Sequence, residues 1–100
     1  MPLALIPWPH ATPPTEPALR RDLPATDIFR WHDAPSTHYS PHSHDHDETI
    51  ALLDGELTFH AAGRDFRLRP GDRLTLPAGT VHTADAGPAG ATYLIAQHRA

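Results

Sequence analysis

The chain has 100 residues and a net charge of −4 with histidine neutral, and it contains neither lysine nor cysteine. That balance offers no basic patch for nucleic acid, and the missing residue types exclude a Schiff-base lysine, a thiol nucleophile, disulfides and thiolate metal sites. The length fits one domain, whose modest core would gain from a bound metal or a partner subunit.

The first ten residues are apolar but carry no basic segment, and Pro2, Pro7 and Pro9 interrupt them, so they do not read as an export signal. No stretch approaches the roughly 20 apolar residues that cross a bilayer. A soluble, cytoplasmic protein with no membrane or nucleic-acid partner is expected. Seven of the twelve prolines fall within residues 1–24, which argues against regular strands or long helices there. Residues 1–27 are expected to form a proline-rich arm. It has room for one short helix over Thr15–Leu23, with Thr15 as N-cap and Pro17 in the first turn. Leu3, Leu5, Ile6 and Trp8 are apolar for a solvent linker; they leave open a mobile arm or one packed on the barrel or on a second subunit.

Residues 28–100 read as an all-β domain. Gly55, Gly63, Gly71, Gly79 and Gly87 recur every eight residues, several beside turn partners such as Asp54, Pro70 and Pro88. Between them lie short alternating runs: Thr49–Leu53, Glu56–His60, Asp65–Leu68, Arg73–Leu76, Val81–Ala84 and Ala91–Gln97. Turn signals at this interval indicate a sandwich or barrel. Asp54-Gly55 reads as a tight hairpin. Ile50, Leu52, Phe66, Leu68, Leu74, Leu76, Tyr93 and Ile95 are the candidate core.

The chemistry concentrates in HSHDHDE, residues 42–48, where His42, His44 and Glu48 have the spacing H-x-H-x3-E, and in His82 at the end of GDRLTLPAGTVH. Three imidazoles and a carboxylate can hold a divalent transition metal and leave coordination positions open. His42, His44, His46, Glu48, Ile50 and Leu52 share one parity, so an extended chain would point all six one way. Asp45 and Asp47 look like turn residues, however, and a turn there makes His46 an exposed turn residue; the alternatives are a substitute ligand or a proton donor behind the ligands. His60 reads as a surface or packing residue with a smaller claim on the cavity. Tyr39 and Tyr93 fit either the core or a ligand hydrogen bond. Arg64, Arg67, Arg69 and Arg73 read as a solvated strand face, although one turned inward would suit a carboxylate. His10, His32, His38 and His98 have no evident partner.

These spacings resemble the two motifs of the cupin superfamily. The first, G(x)5-H-x-H-(x)3,4-E-(x)6-G, is matched by His42, His44, Glu48 and Gly55, with Ser36 at its opening glycine. The second, G(x)5-P-x-G-(x)2-H-(x)3-N, is matched by Gly71, Pro77, Gly79 and His82, with Ala86 at its closing asparagine. The resemblance covers roughly Arg30 to Gln97. It implies a double-stranded β-helix (jelly-roll) barrel. It also implies His42, His44, Glu48 and His82 as ligands of one divalent transition metal, drawn from Fe, Mn, Ni, Co, Cu and Zn. A homodimer and a small-molecule ligand in the barrel mouth follow from the same resemblance. The function it implies is a metal-dependent oxygenase or isomerase acting on a small oxygen-bearing organic molecule. The alternatives are a non-catalytic module that binds a small molecule or senses metal, and a purely structural metal site. The fold does not choose among them.

Overall fold

The computed structural model describes residues 1–23 and 27–98. Residues 24–26 of the expected arm, and the last two residues of the expected barrel, lie outside the described residues. Seven strands and one short helix follow in the order β1 (Ala4–Ile6), α1 (Glu16–Arg21), β2 (Asp27–Asp33), β3 (His38–His42), β4 (Asp47–Ala61), β5 (Arg64–Leu68), β6 (Arg73–Leu76) and β7 (His82–His98). The expected all-β architecture with a single short helix is met. Thr15 caps the helix, its hydroxyl accepting from the Ala18 amide at 3.3 Å, with Pro17 in the first turn.

Every pairing is antiparallel. β4 pairs with β7 along nearly its whole length, from Asp47↔His98 to Ala61↔His82. The first half of β4 also pairs with β6, while the second half of β7 pairs with β2, which gives the layer β1-β6-β4-β7-β2. The second half of β4 pairs with β5 and the first half of β7 with β3, which gives the facing layer. The core lies between them: Leu52, Leu57, Leu68 and Leu74 are fully enclosed, with Ile50, Phe59, Phe66, Leu76 and Tyr93 around them. Ile95 is partly buried against this cluster.

Burial along β4 records what covers each layer. Residues 48–52 are buried on both parities, whereas residues 57–61 alternate between buried and half-buried. The first half is covered on both sides because α1 lies against its outer face: Leu19 and Leu23 pack with Ala51, Leu94 and Ala96. The second half has a wet outer face, as a one-sided antiparallel layer should.

Three expectations need correction. Asp54-Gly55 does not close a hairpin. β4 runs through it, with register shifts between Leu52 and Asp54 and between Gly55 and Leu57. Likewise β7 runs through Gly87-Pro88, where a turn was expected between Val81–Ala84 and Ala91–Gln97. A glycine at positive φ serves a tight turn or a bulged corner equally well. Here Gly55 (φ 85°) packs against Gly90 (φ 82°), and a Cβ on Gly55 would lie 2.1 Å from the Gly90 carbonyl oxygen. Gly63, Gly71 and Gly79 do sit in turns. The third correction concerns the start of the chain. Ala4–Ile6 is a strand paired with β6, Leu5 opposite Leu74, and Leu3 and Leu5 pack on the core. Pro2 and Pro7 bracket it at three residues, and a sheet edge is where flanking prolines cost no ladder hydrogen bond. Trp8 follows, its amide donating to Asp72 at 2.9 Å.

The Gly55–Gly90 contact yields a direct stability test. Gly55→Ala should cost about 3 kcal/mol or more, since it adds a backbone clash to a left-handed φ. Gly63→Ala, at φ 71° with open space around it, should cost only about 1–2 kcal/mol. Urea unfolding of both variants beside the parent gives the comparison, and equal costs would mean the corner tolerates a side chain.

Candidate metal centre

His42 closes β3, His82 opens β7, and the two residues face each other across the β3–β7 pair. His44 lies just beyond β3 and Glu48 near the start of β4. All four line one cavity of about 640 Å³. The ring centroids of His42 and His82 are 4.3 Å apart; His44 stands 5.2 Å from His42 and 5.4 Å from His82. One nitrogen from each of His42, His44 and His82 lies within 4.8 Å of the others, close enough to share an ion.

The backbone selects the tautomer. His42 Nδ1–H donates to the Ser40 carbonyl at 2.7 Å, and His82 Nδ1–H donates to the Thr80 carbonyl at 2.9 Å. A carbonyl can only accept, so in each ring Nδ1 holds the proton and Nε2 keeps a free lone pair, as an imidazole ligand requires. Burial pushes His82 below the ordinary histidine value, only partly offset by the Thr80 carbonyl, and so favours its neutral, metal-binding form. The donor set therefore suits a borderline transition metal.

Glu48 is arranged differently. It is buried to 4% exposure; its Oε1 lies 3.6 Å from His44 Nε2, and its Oε2 lies 3.0 Å from His46 Nε2. His44, His46 and Glu48 form a second triad that shares His44 with the first. The expected bend is present at Asp45-His46, but His46 does not go to solvent. Its side chain turns back at 20% exposure, with Nδ1 at 2.9 Å from Asp45 and Nε2 facing Glu48. Hydrogen bonding to Asp45, helped by Glu48 and opposed by partial burial, raises His46 above the ordinary value. With a carboxylate at each ring nitrogen, His46 acts as an anchor for Glu48. Parity alone could not reveal this, because the bend breaks it.

Of the remaining candidates, the histidines and the four arginines fall outside the cavity, whereas the two tyrosines line it. His60 lies on the outer face of β4, its Nδ1 at 2.6 Å from Asp65 and its Nε2 at 3.2 Å from Asp85, which also holds His38 at 2.6 Å. None of Arg64, Arg67, Arg69 and Arg73 lines the cavity; Arg67 pairs with Glu56, and Arg64 lies over the Phe66 ring. Arg30, which the sequence did not single out, does line it. His98 and His32 bind threonine hydroxyls and His10 packs edge-on to Trp8. The cavity wall is otherwise mainly apolar, with Ile28, Phe29, Trp31, Phe59 and Ile95 prominent. Tyr39 and Tyr93 also line it, both hydroxyls donating to Asp33.

A bent antiparallel double layer with an imidazole cluster in its mouth is the architecture of a cupin. The cupin-domain family model matches residues 29–94, so the chain belongs to the cupin family. Over 43 residues, 42% of this chain, it is 44% identical to a quercetin 2,3-dioxygenase of Bacillus subtilis (strain 168) and spans 13% of that protein. Among solved structures it is similar to the DMSP lyase DddQ of Ruegeria pomeroyi DSS-3. That likeness has a TM-score of 0.67 at 25% identity, covering 72% of this chain and 37% of the other. It is also similar to an RmlC-like cupin of Shewanella frigidimarina NCIMB 400, with a TM-score of 0.66 at 20% identity, covering 73% and 65%. The chain thus spans well under half of the dioxygenase and of the lyase. Among the described residues no helix is long and apolar enough to cross a membrane.

The outer histidine pair sets a pH dependence. Hydrogen bonding to Asp65, opposed by desolvation and helped by Asp85, raises His60 above the ordinary value of about 6.5. Its protonated form therefore stabilises the fold fully below about pH 6.5, and that contribution disappears as pH rises through the raised folded-state value. The parent's advantage over His60→Gln should be larger at pH 6 than at pH 9. It should not exceed ~1 kcal/mol, because the pair is solvent-screened. Thermal melts at both pH values check this; an equal gap at both would mean that His60 is held neutral.

Proposed function

We propose that this cupin is a metal-dependent enzyme of the oxygenase kind. In this reading His42, His44, Glu48 and His82 hold one divalent transition metal, and a small oxygen-bearing organic molecule binds beside it. The observation that carries the reading is the convergence of three imidazole nitrogens within 4.8 Å at the wall of a cavity large enough for a small organic ligand. A structural metal site would be closed on all sides by ligands, whereas this one faces open volume. The partial likeness to quercetin 2,3-dioxygenase favours oxygenase over isomerase chemistry.

The residues divide the work. When bound, the metal supplies Lewis-acid activation of a ligand oxygen at an open coordination position. His42 and His82 present Nε2 in a fixed direction because their backbone carbonyl partners lock each ring. His46 anchors Glu48 through Oε2, which leaves Oε1 turned towards His44 and the cavity. That oxygen, 3.6 Å from His44 Nε2, is the one Glu48 would offer to the metal beside the three imidazoles. The apolar wall excludes water from the bound ligand.

Elemental analysis of parent and His82→Ala protein, dialysed free of loosely held ions, tests the reading. The parent should retain close to one equivalent of a single transition metal, and the variant a small fraction of that. Equal metal in both would remove His82 from the centre. Metal in the parent without O2 uptake in the presence of any chelating organic ligand would turn the proposal to a binding module.

A further inference from the structure

Asp33 is a buried carboxylate, 3% exposed, to which the metal reading gives no task. It ends β2 and accepts three hydrogen bonds: from the Tyr39 hydroxyl at 2.5 Å, the Tyr93 hydroxyl at 2.7 Å and the Trp31 indole Nε1–H at 2.9 Å. The indole Nε1 also lies 3.1 Å from the Tyr39 oxygen. Burial, then the Asp33 carboxylate, raise both phenols above the ordinary tyrosine value, so their protons stay directed at Asp33.

The unusual member of this network is Trp31. Half of its surface is exposed, yet its only polar side-chain atom is held by Asp33 and Tyr39. An indole placed to fill the core would be covered, and an indole left over on a surface would be free to change rotamer. This one is half exposed and fixed at its edge. It lines the cavity that holds His42, and Tyr39, which it touches, lies beside His42 with ring centroids 6.3 Å apart and planes tilted by 59°. Phe29, two residues earlier on the same face of β2, is also half exposed and lines the same cavity. A charged ligand finds little here: apart from Glu48 and Arg30, the lining carries no formally charged group with histidine neutral. Arg30 is engaged by Glu16 at 3.0 Å.

We propose that Trp31, locked by Asp33, is a specificity-determining stacking platform: it selects a planar aromatic molecule whose paired oxygen donors reach the His42–His44–His82 centre. Asp33 is then a positioning residue that acts through Trp31 and Tyr39. The proposal rests on the metal reading above and adds to it the residue that reads the ligand's ring. Preorganisation is the physical reason: a fixed indole loses no rotamer freedom when a ring stacks on it, so stacking adds about tenfold in affinity.

The test uses the full chain loaded with zinc, which avoids oxidation of the probes. Two oxygen chelators are compared, 2,3-dihydroxynaphthalene, which has a ring system, and acetohydroxamate, which has none. The parent should favour the aromatic chelator by about tenfold beyond the preference of free zinc, with quenching of Trp31 emission in a Trp8→Phe background. Trp31→Leu should abolish that preference with metal content unchanged, and Trp31→Phe should keep most of it. Asp33→Asn should reduce the preference about threefold and speed the decay of Trp31 fluorescence anisotropy. If Asp33→Asn fails to fold, the Trp31→Leu and Trp31→Phe pair still decides. A parent that binds acetohydroxamate but shows no ring preference, or a preference that survives in Trp31→Leu, overturns the platform alone. A parent that holds no zinc and binds neither probe overturns the metal centre, and the aromatic chelate with it.

Discussion

A strand of 15 residues is about 50 Å long when extended, yet the longest dimension of this molecule is 33 Å. β4 and its partner β7, 15 and 17 residues long, must therefore fold over together while keeping their ladder. The bend is possible because Gly55 and Gly90 meet with no side chain between them. Its effect on the site is large. Glu48 lies opposite Gln97 at one end of the ladder, and His82 lies opposite Ala61 at the other. In a flat sheet these ends would be far apart. Folding at the glycine corner brings both to one cavity, and the short strand β3 then adds His42 directly across from His82.

The centre that results has two chemical halves. His42 and His82 are backbone-locked rings that offer lone pairs, and His82 is kept neutral by burial. Glu48 and His46 form a hydrogen-bonded pair, with Nε2 3.0 Å from Oε2. His44 stands between, within reach of both sets. Burying a carboxylate without a partner would be costly, and His46 removes that cost without occupying the cavity wall. The same device recurs at Asp33, where neutral phenol and indole donors do the work.

Much of this was legible in the residues. The motif spacings placed His42, His44, Glu48 and His82 in one cavity, and alternation picked out Ile50, Leu52, Phe66, Leu68, Leu74, Leu76 and Tyr93, all buried. Turn chemistry was only partly readable. Gly63, Gly71 and Gly79 reverse the chain, but Gly55 and Gly87 lie inside continuous strands, because positive φ or small size serves a bulged corner as well as a turn. Ser36 shows the converse. It stands where the family motif has glycine and nevertheless adopts φ 60°, held by the hydrogen bond its backbone N–H donates to the Gly87 carbonyl. Asp33 was not singled out and His46 was placed as an exposed turn residue for one reason: their partners are fixed by tertiary placement, and no local spacing encodes them.

The docking of Trp8 sets an order on assembly. Its indole occupies the space a side chain at Gly71 would need, its amide binds Asp72, and Ala4–Ile6 beside it pairs with Arg73–Thr75. Each of these contacts spans more than sixty residues of chain, the kind of non-local closure that comes at a high loop entropy. During synthesis the segment carrying Trp8 has no seat until the β5–β6 turn and β6, more than sixty residues later, exist. The seat is a glycine of the family motif. At this position one residue serves both the local turn and the closure of the sheet edge by a distant stretch of chain.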